Sequence, residues 1–181
     1  MIHSDPSEAP GKLEPLRLLV NTATLPDGPD ELESLEAASA WCRRHGFPAL
    51  SNEREHDRLR AFREALREVL YANNGEAEPE AAWGAMRAAA GAIAARLAID
   101  PQKGPLLEPG GAGVERIVAV SLCAVYDAIA DGTWARLRAC KRADCRYAYY
   151  DRSKNGTRAW CSMATCGNRE KAQRRRARER A

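Results

Sequence analysis

The sequence is short of several things, and each shortage excludes a class of protein. No run approaches the roughly 18 uninterrupted apolar residues of a membrane-spanning helix; the best candidate, residues 114–130, carries Glu115, Arg116 and Asp127. The first twenty residues, MIHSDPSEAPGKLEPLRLLV, have no basic start followed by an apolar stretch, so no secretory leader is read there and the expected location is the cytoplasm. Gly 13 and Pro 10 among 181 residues are too few for a fibrous or low-complexity chain, and 45% apolar content is too high for wholesale disorder. Aromatics make up 6% and the three histidines are scattered. There is no G-x-x-x-x-G-K-[ST] loop, no H-E-x-x-H and no Ser/His/Asp set in motif context, so no catalytic residue is assigned and the protein is not read as an enzyme. What remains is a soluble globular chain of one domain, or of one domain with a small module.

Net charge is also small, at +3, but it is a cancellation. Residues 136–181 hold 15 Lys/Arg against four acids, which gives +11, while the preceding residues hold 13 basic and 21 acidic side chains, which gives −8. A basic end on an acidic body points to a polyanionic partner.

Residues 1–14 are polar and contain proline, and are expected to form a flexible tail. Leu16-Arg17-Leu18-Leu19-Val20, stopped by Asn21 and the Pro26-Asp27-Gly28-Pro29 cluster, reads as a short buried strand. Four helices are then predicted. The first covers about residues 30–45, with Leu32, Leu35, Ala38 and Trp41 on one face. The second opens at Ser51-Asn52, carries Leu59, Phe62, Leu66, Val69 and Leu70 on one stripe, and stops at Asn73-Asn74-Gly75. The third opens at Pro79 and runs through Trp83, Met86, Ile93 and Leu97 to Asp100-Pro101. After a Gly/Pro-rich loop or poor hairpin over residues 103–113, the fourth carries Val114, Ile117, Val118, Ser121, Leu122, Val125 and Ile129 and ends at Asp131-Gly132. Gly110-Gly111-Ala112-Gly113 reads as the entry loop of that helix. The expected fold is mainly α: a helical N-terminal bundle over residues 15–132 with a few short strands, then a small C-terminal module over residues 133–181 with short β elements and a basic helix.

Four of the six cysteines lie in that module as Cys140-x4-Cys145-x15-Cys161-x4-Cys166. Two thiol pairs joined by a loop of this length can fold into one tetrahedral metal site, and four protein ligands leave no open position for a catalytic water. Zinc is the metal such a set favours, and an iron–sulfur cluster is its main rival. Two disulfides or four unrelated buried thiols are the other readings. Cys42 and Cys123 fall within helical apolar patterns and read as buried thiols.

After Cys166, GNREKAQRRRARERA favours a helix ringed by Arg169, Lys171, Arg174, Arg175, Arg176 and Arg178. A helix so charged cannot be a core element, and it suits phosphate contacts. Arg152, Lys154 and Arg158 form a second basic patch in the loop between the cysteine pairs. The neighbouring Tyr147, Tyr149, Tyr150 and Trp160 read first as the small core that shields the metal, and otherwise as stacking surfaces for exposed bases.

The run from Arg136 to Arg180 resembles the CGNR zinc-finger family. Cys166-Gly167-Asn168-Arg169 is the naming tetrad, and Trp160-Cys161-Ser162-Met163, the Tyr149-Tyr150-Asp151-Arg152-Ser153 segment and Leu137-Arg138-x-Cys140 also match. Leu19-Val20-Asn21-Thr22, Asp30, Leu32 and the helix ending in Trp41 resemble the start of the ABATE domain that precedes this finger in a family of stress-induced transcription regulators. The resemblance implies one structural Zn2+ held by Cys140, Cys145, Cys161 and Cys166, and a role in DNA binding and transcription. The N-terminal domain is expected to bind a small-molecule effector, with a pocket lined by Trp41, Trp83 and the Asn21 region, to form a homodimer through an exposed apolar patch, or to contact the transcription machinery. The alternatives to a DNA regulator are a zinc-stapled protein-interaction module and a binder of RNA or of nucleic acid without specificity. No membrane partner is expected.

Overall fold

The computed structural model describes residues 7–102 and 104–180. In chain order its helices are α1 (Glu14–Val20), α2 (Leu35–Arg44), α3 (Glu53–Ala72), α4 (Pro79–Ala90), α5 (Gly113–Ala130) and α6 (Asn168–Arg178). The strands are β1 (Ala95–Asp100), β2 (Gly104–Pro109), β3 (Leu137–Ala139) and β4 (Ala148–Tyr150), forming two antiparallel two-stranded sheets, β1–β2 and β3–β4. The fold is mainly α, as expected. No helix among the described residues is long and apolar enough to cross a membrane.

α3 is the axis of the body. Asn52 caps it by accepting the Glu55 N–H at 3.0 Å, and the Glu55 carboxylate reaches back to the Ser51 N–H at 2.7 Å, so donors at the helix start are satisfied from both sides. The predicted stripe of Leu59, Phe62, Leu66, Val69 and Leu70 is fully buried. It packs against α1, α4 and α5. Gly113, at the start of α5, lies at φ +52°, a conformation that favours glycine, and the Glu55 carboxylate of α3 lies against it where a Cβ would stand.

Three expectations need correction. The apolar run at residues 16–20 is helix α1 and not a strand: Leu13, outside the run, joins Leu16 and Val20 at helical spacing, Pro15 suits the first turn, and Leu13, Leu16, Leu19 and Val20 are all buried. The third helix ends at Ala90 instead of continuing to residue 100. Gly91 takes a left-handed turn at φ +62°, and the chain returns as the hairpin β1–β2, with Leu97 paired to Leu107. The first predicted helix starts at Leu35, because Asp30 spends its carboxylate on the Leu32 N–H and on Arg63 and so holds residues 30–34 in a turn. The expected flexible tail falls partly outside the described residues, at residues 1–6. From Ser7 onward the chain is built into the body: Ala9 and Leu13 are buried, and the Ser7 carbonyl accepts the Tyr150 N–H at 3.0 Å.

Leu137, Ala139, Ala148 and Tyr150 of the second sheet belong to the same buried cluster as Leu59, Phe62 and Val118. The C-terminal segment therefore shares its core with the helices rather than hanging from them.

Candidate metal centre

β3 and β4 carry the first cysteine pair at the end where their turn joins them. Cys140 continues the ladder, its N–H donating to the Tyr147 carbonyl at 3.0 Å, and Cys145 lies in the intervening turn, its N–H bonded to the Arg142 carbonyl at 3.0 Å. Arg146 closes that turn in the left-handed region, at φ +46°. The second pair comes from the loop after Trp160. Ser162 caps a wide helical turn, Met163–Gly167, by accepting the Thr165 N–H at 3.3 Å, and Cys166 lies in that turn just ahead of α6. Asn168 donates from its side chain to the Ala164 carbonyl at 3.2 Å, which ties α6 to the same turn.

The four sulfurs converge, all within 4.8 Å of one another, with Sγ–Sγ distances of 3.7 Å for Cys145–Cys161 and for Cys161–Cys166. A tetrahedron with Zn–S bonds of about 2.3 Å has an edge of about 3.8 Å. A disulfide would need about 2.05 Å, and all six cysteines are free thiols, so the disulfide reading fails. Hydrogen bonds from Cys145 and Cys161 pull the Cys140 thiol well down, while the bond to Cys140 pushes Cys145 up and the bonds to Cys140 and Cys145 raise Cys161. One thiolate among four crowded sulfurs opposes ionisation of the rest, and a divalent cation at their centre removes that opposition. The donor set and its spacing fit one structural zinc ion, and the protein binds zinc through this cluster. Cys42 and Cys123 lie apart, buried in α2 and α5, and burial pushes Cys42 up to about 11.

The shell behind the sulfurs comes largely from the helical body, through polar residues that the sequence presents as stop signals. Asn74 donates to the carbonyls of Ala139 (2.9 Å) and Ala159 (2.8 Å), the residues just before Cys140 and Trp160. Asn73 donates to the Leu137 carbonyl at 3.0 Å, and the Tyr71 hydroxyl donates to the Lys141 carbonyl at 3.2 Å. Arg67, fully buried in α3, bridges the Val20 carbonyl (2.7 Å) and the Arg146 carbonyl (3.3 Å). Sequence reasoning missed all four. Their signal is present for the arginine: α3 places Arg63 and Arg67 beside its apolar stripe, where a charge survives only if paired.

The bases near the cysteines are mostly structural. Lys141 pairs with Glu76, Arg146 with Glu68 and Arg142 with Asp144, and Arg146 also lies over the Tyr71 ring. Arg158, expected on the nucleic-acid face, is half-buried. It donates to the Trp160 carbonyl at 2.8 Å and to the Cys161 carbonyl, and stacks 4.6 Å over Tyr149. Asp151 is completely buried and accepts the N–H groups of Ser153 and Arg158, each at 2.9 Å. Burial works against its ionisation, but these bonds and the nearby Arg138 hold its carboxyl below the ordinary range. Tyr149 is the fully buried aromatic of the module, and Trp160 is only half-buried.

The other basic residues predicted to meet nucleic acid are exposed. Lys154 lies in the loop, and Arg152 there donates to the Glu8 carbonyl at 3.1 Å. Arg169, Lys171, Arg174, Arg175, Arg176 and Arg178 ring α6, which buries none of its residues. Arg174–Glu170 (2.9 Å) and Arg175–Glu179 (2.7 Å) are solvent-facing pairs of the weak i,i+4 kind.

The effector pocket expected around Trp41, Trp83 and Asn21 does not form. Trp41 is buried against His45 and Phe47, and Asn21 is bonded to Ala148. Trp83 lines a cavity of about 290 Å³ with Met86 and Leu122. A cavity of about 760 Å³ lies instead between the starts of α3 and α5, lined by Asn52, Arg54, Arg58, Gly91, Gly113 and Glu115 among others.

Residues 136–179 match the family described as CGNR zinc finger, and residues 15–137 match the ABATE family, described as "Putative stress-induced transcription regulator". No curated protein matches the chain.

Proposed function

The chain belongs to the ABATE family and ends in a CGNR zinc finger, and from that premise we propose that it is a zinc-stabilised, non-enzymatic, cytoplasmic regulator of transcription that binds DNA through α6 and the loop bases. The observation that carries this reading is α6 itself. It presents Arg169, Lys171, Arg174, Arg175, Arg176 and Arg178 to solvent and is anchored at its start, through the Met163–Gly167 turn, to the zinc ligand Cys166. A cationic helix that starts from the metal-bearing turn and is exposed along its length is suited to phosphates along a duplex groove. Lys154 and Arg152 extend the basic face from the loop. Arg158 instead holds the Cys161 loop in place through the Trp160 and Cys161 carbonyls. The body's role is to orient the finger and to take an effector, for which the cavity of about 760 Å³ is within the size range of small-molecule sites.

The test is selection of duplexes from a random pool by the zinc-loaded full chain, with single-stranded RNA as competitor. Enrichment of one sequence class that RNA displaces poorly supports a regulator. Equal retention of all duplexes gives a general binder, and no retention removes the nucleic-acid reading.

A further inference from the structure

The hairpin β1–β2 leaves one competent edge, and that edge is self-complementary. β1 pairs with β2 and with no other strand among the described residues. The register sets Ala95 against Pro109, Leu97 against Leu107 and Ile99 against Pro105. Proline has no N–H to exchange, so Ala95 and Ile99 are at positions whose backbone groups do not bond across the ladder. The Gly110 N–H bonded to the Ala94 carbonyl at 2.8 Å gives the same phase, because bonded pairs recur at every second residue. Ala95, Leu97 and Ile99 therefore turn their N–H and C=O groups outward. On β2 the outward positions are Pro105, Leu107 and Pro109, two of which lack the donor, so the free edge of β2 is blunted and that of β1 is open.

The outward-bonding residues of β1 also carry uncovered apolar side chains: Leu97 is 72% exposed and Ile99 is 82% exposed. We propose that this edge is the contact between two copies of the chain, paired antiparallel about a twofold axis at Ala98. In that register Leu97 and Ile99 of the second copy form a bonded pair, as do Ile99 and the second copy's Leu97, using only groups that point outward. Arg96 then lies opposite Asp100 of the second copy on the other face. Sliding by two residues either way puts Arg96 or Asp100 opposite Ala98 and breaks this charge match. Arg96, 78% exposed and already beside Glu108, has room to serve both carboxylates. The product is a four-stranded sheet with an apolar stripe of four Leu/Ile side chains flanked by Leu107. Such a sheet is a stable unit where an isolated hairpin is marginal, and the twofold consumes the open edge, so assembly stops at two. This contact does not depend on the nucleic-acid reading.

The test is the mass of the zinc-loaded full chain by sedimentation and light scattering across concentration. The native chain is expected to approach twice its monomer mass. Leu97→Lys with Ile99→Lys sets lysine opposite lysine on both sides of the axis and is expected to give a monomer with unchanged circular dichroism. Leu97→Glu with Ile99→Lys sets glutamate opposite lysine and is expected to restore the dimer in a salt-sensitive form. A native monomer overturns the proposal. So does a dimer that survives the double lysine change, which would place the contact elsewhere, as at Tyr126 and Ile129 on α5. A glutamate–lysine variant that stays monomeric overturns the register. Unfolding of either variant contradicts the solvent-facing placement on which the interface rests.

Discussion

The side-chain amide of Asn21 closes a two-way hydrogen-bonded ring with the backbone of Ala148: its Nδ2 donates to the Ala148 carbonyl at 2.9 Å, and its Oδ1 accepts the Ala148 N–H at 2.7 Å. One residue at the end of α1 thus takes the place of a neighbouring strand beside β4. Replacing it by alanine strands a buried donor and acceptor, a loss of about 1–3 kcal/mol. Urea unfolding of Asn21→Ala is expected to show one transition at a lower midpoint, with the decrease felt by the helical signal as well as by the zinc module.

Asn74 acts on the metal from a distance. Its amide holds the carbonyls of Ala139 and Ala159 and so sets the approach of β3 and of the Trp160-Cys161 segment. Asn74→Ala is expected to weaken zinc affinity by about 10–100-fold, the usual effect of losing a group that orients ligands. Competition with a colorimetric chelator measures it, and affinity equal to the native chain's would show that the zinc turns position themselves.

Zinc removal is expected to reach the helices. Leu137, Ala139, Ala148 and Tyr150 share one core with α3 and α5, so a chain stripped by a strong chelator loses part of the packing of the body. Calorimetry of the metal-free protein is expected to show the main transition lowered. A main transition at an unchanged temperature would mean that the finger folds and unfolds by itself.

How legible this was depends on the kind of signal. The stripe of α3 and the four cysteines were plain, because helical spacing and paired thiols each state their own geometry. The run at residues 16–20 is ambiguous because four apolar residues around Arg17 fit a strand as well as a helix, and Leu13, outside the run, decides between them. Ala-rich residues 87–95 have helical propensity, but Ile93 and Leu97 had no surface to bury against and Gly91 turned the chain. Asn21, Asn73 and Asn74 are turn signals locally and clamps across 60 residues or more, a long-range role that single-sequence patterns do not carry. Net charge marked the basic end but could not separate Arg158, which braces the Cys161 loop, from the exposed cations of α6.

Acid is expected to destabilise the protein through Asp30 and Asp151. Although burial opposes it, the bond from Arg63 and the Leu32 N–H hold the Asp30 carboxyl below its ordinary range, and Asp151 is held down likewise. A carboxyl whose folded-state pKa is depressed contributes stability above its unfolded pKa of about 4, and that contribution is lost as pH falls through the lower folded value. Urea midpoints between about pH 5 and pH 3 are expected to fall more steeply for the native chain than for Asp30→Asn, which has already lost the Arg63 pair. Equal slopes would remove Asp30 from the account.

A DNA-binding role for α6 fixes how binding responds to salt. The zinc-loaded chain and a variant with Lys171, Arg174, Arg175 and Arg178 all changed to Gln are titrated with one labelled duplex at several salt concentrations. With about five phosphates neutralised, the native plot of log K against log salt has a slope near −4.5, and the variant is shallower by about 3.6, about 0.9 for each of the four phosphates that no longer meet a cation. A flat native slope, or the same slope in both proteins, would contradict a nucleic-acid role for α6.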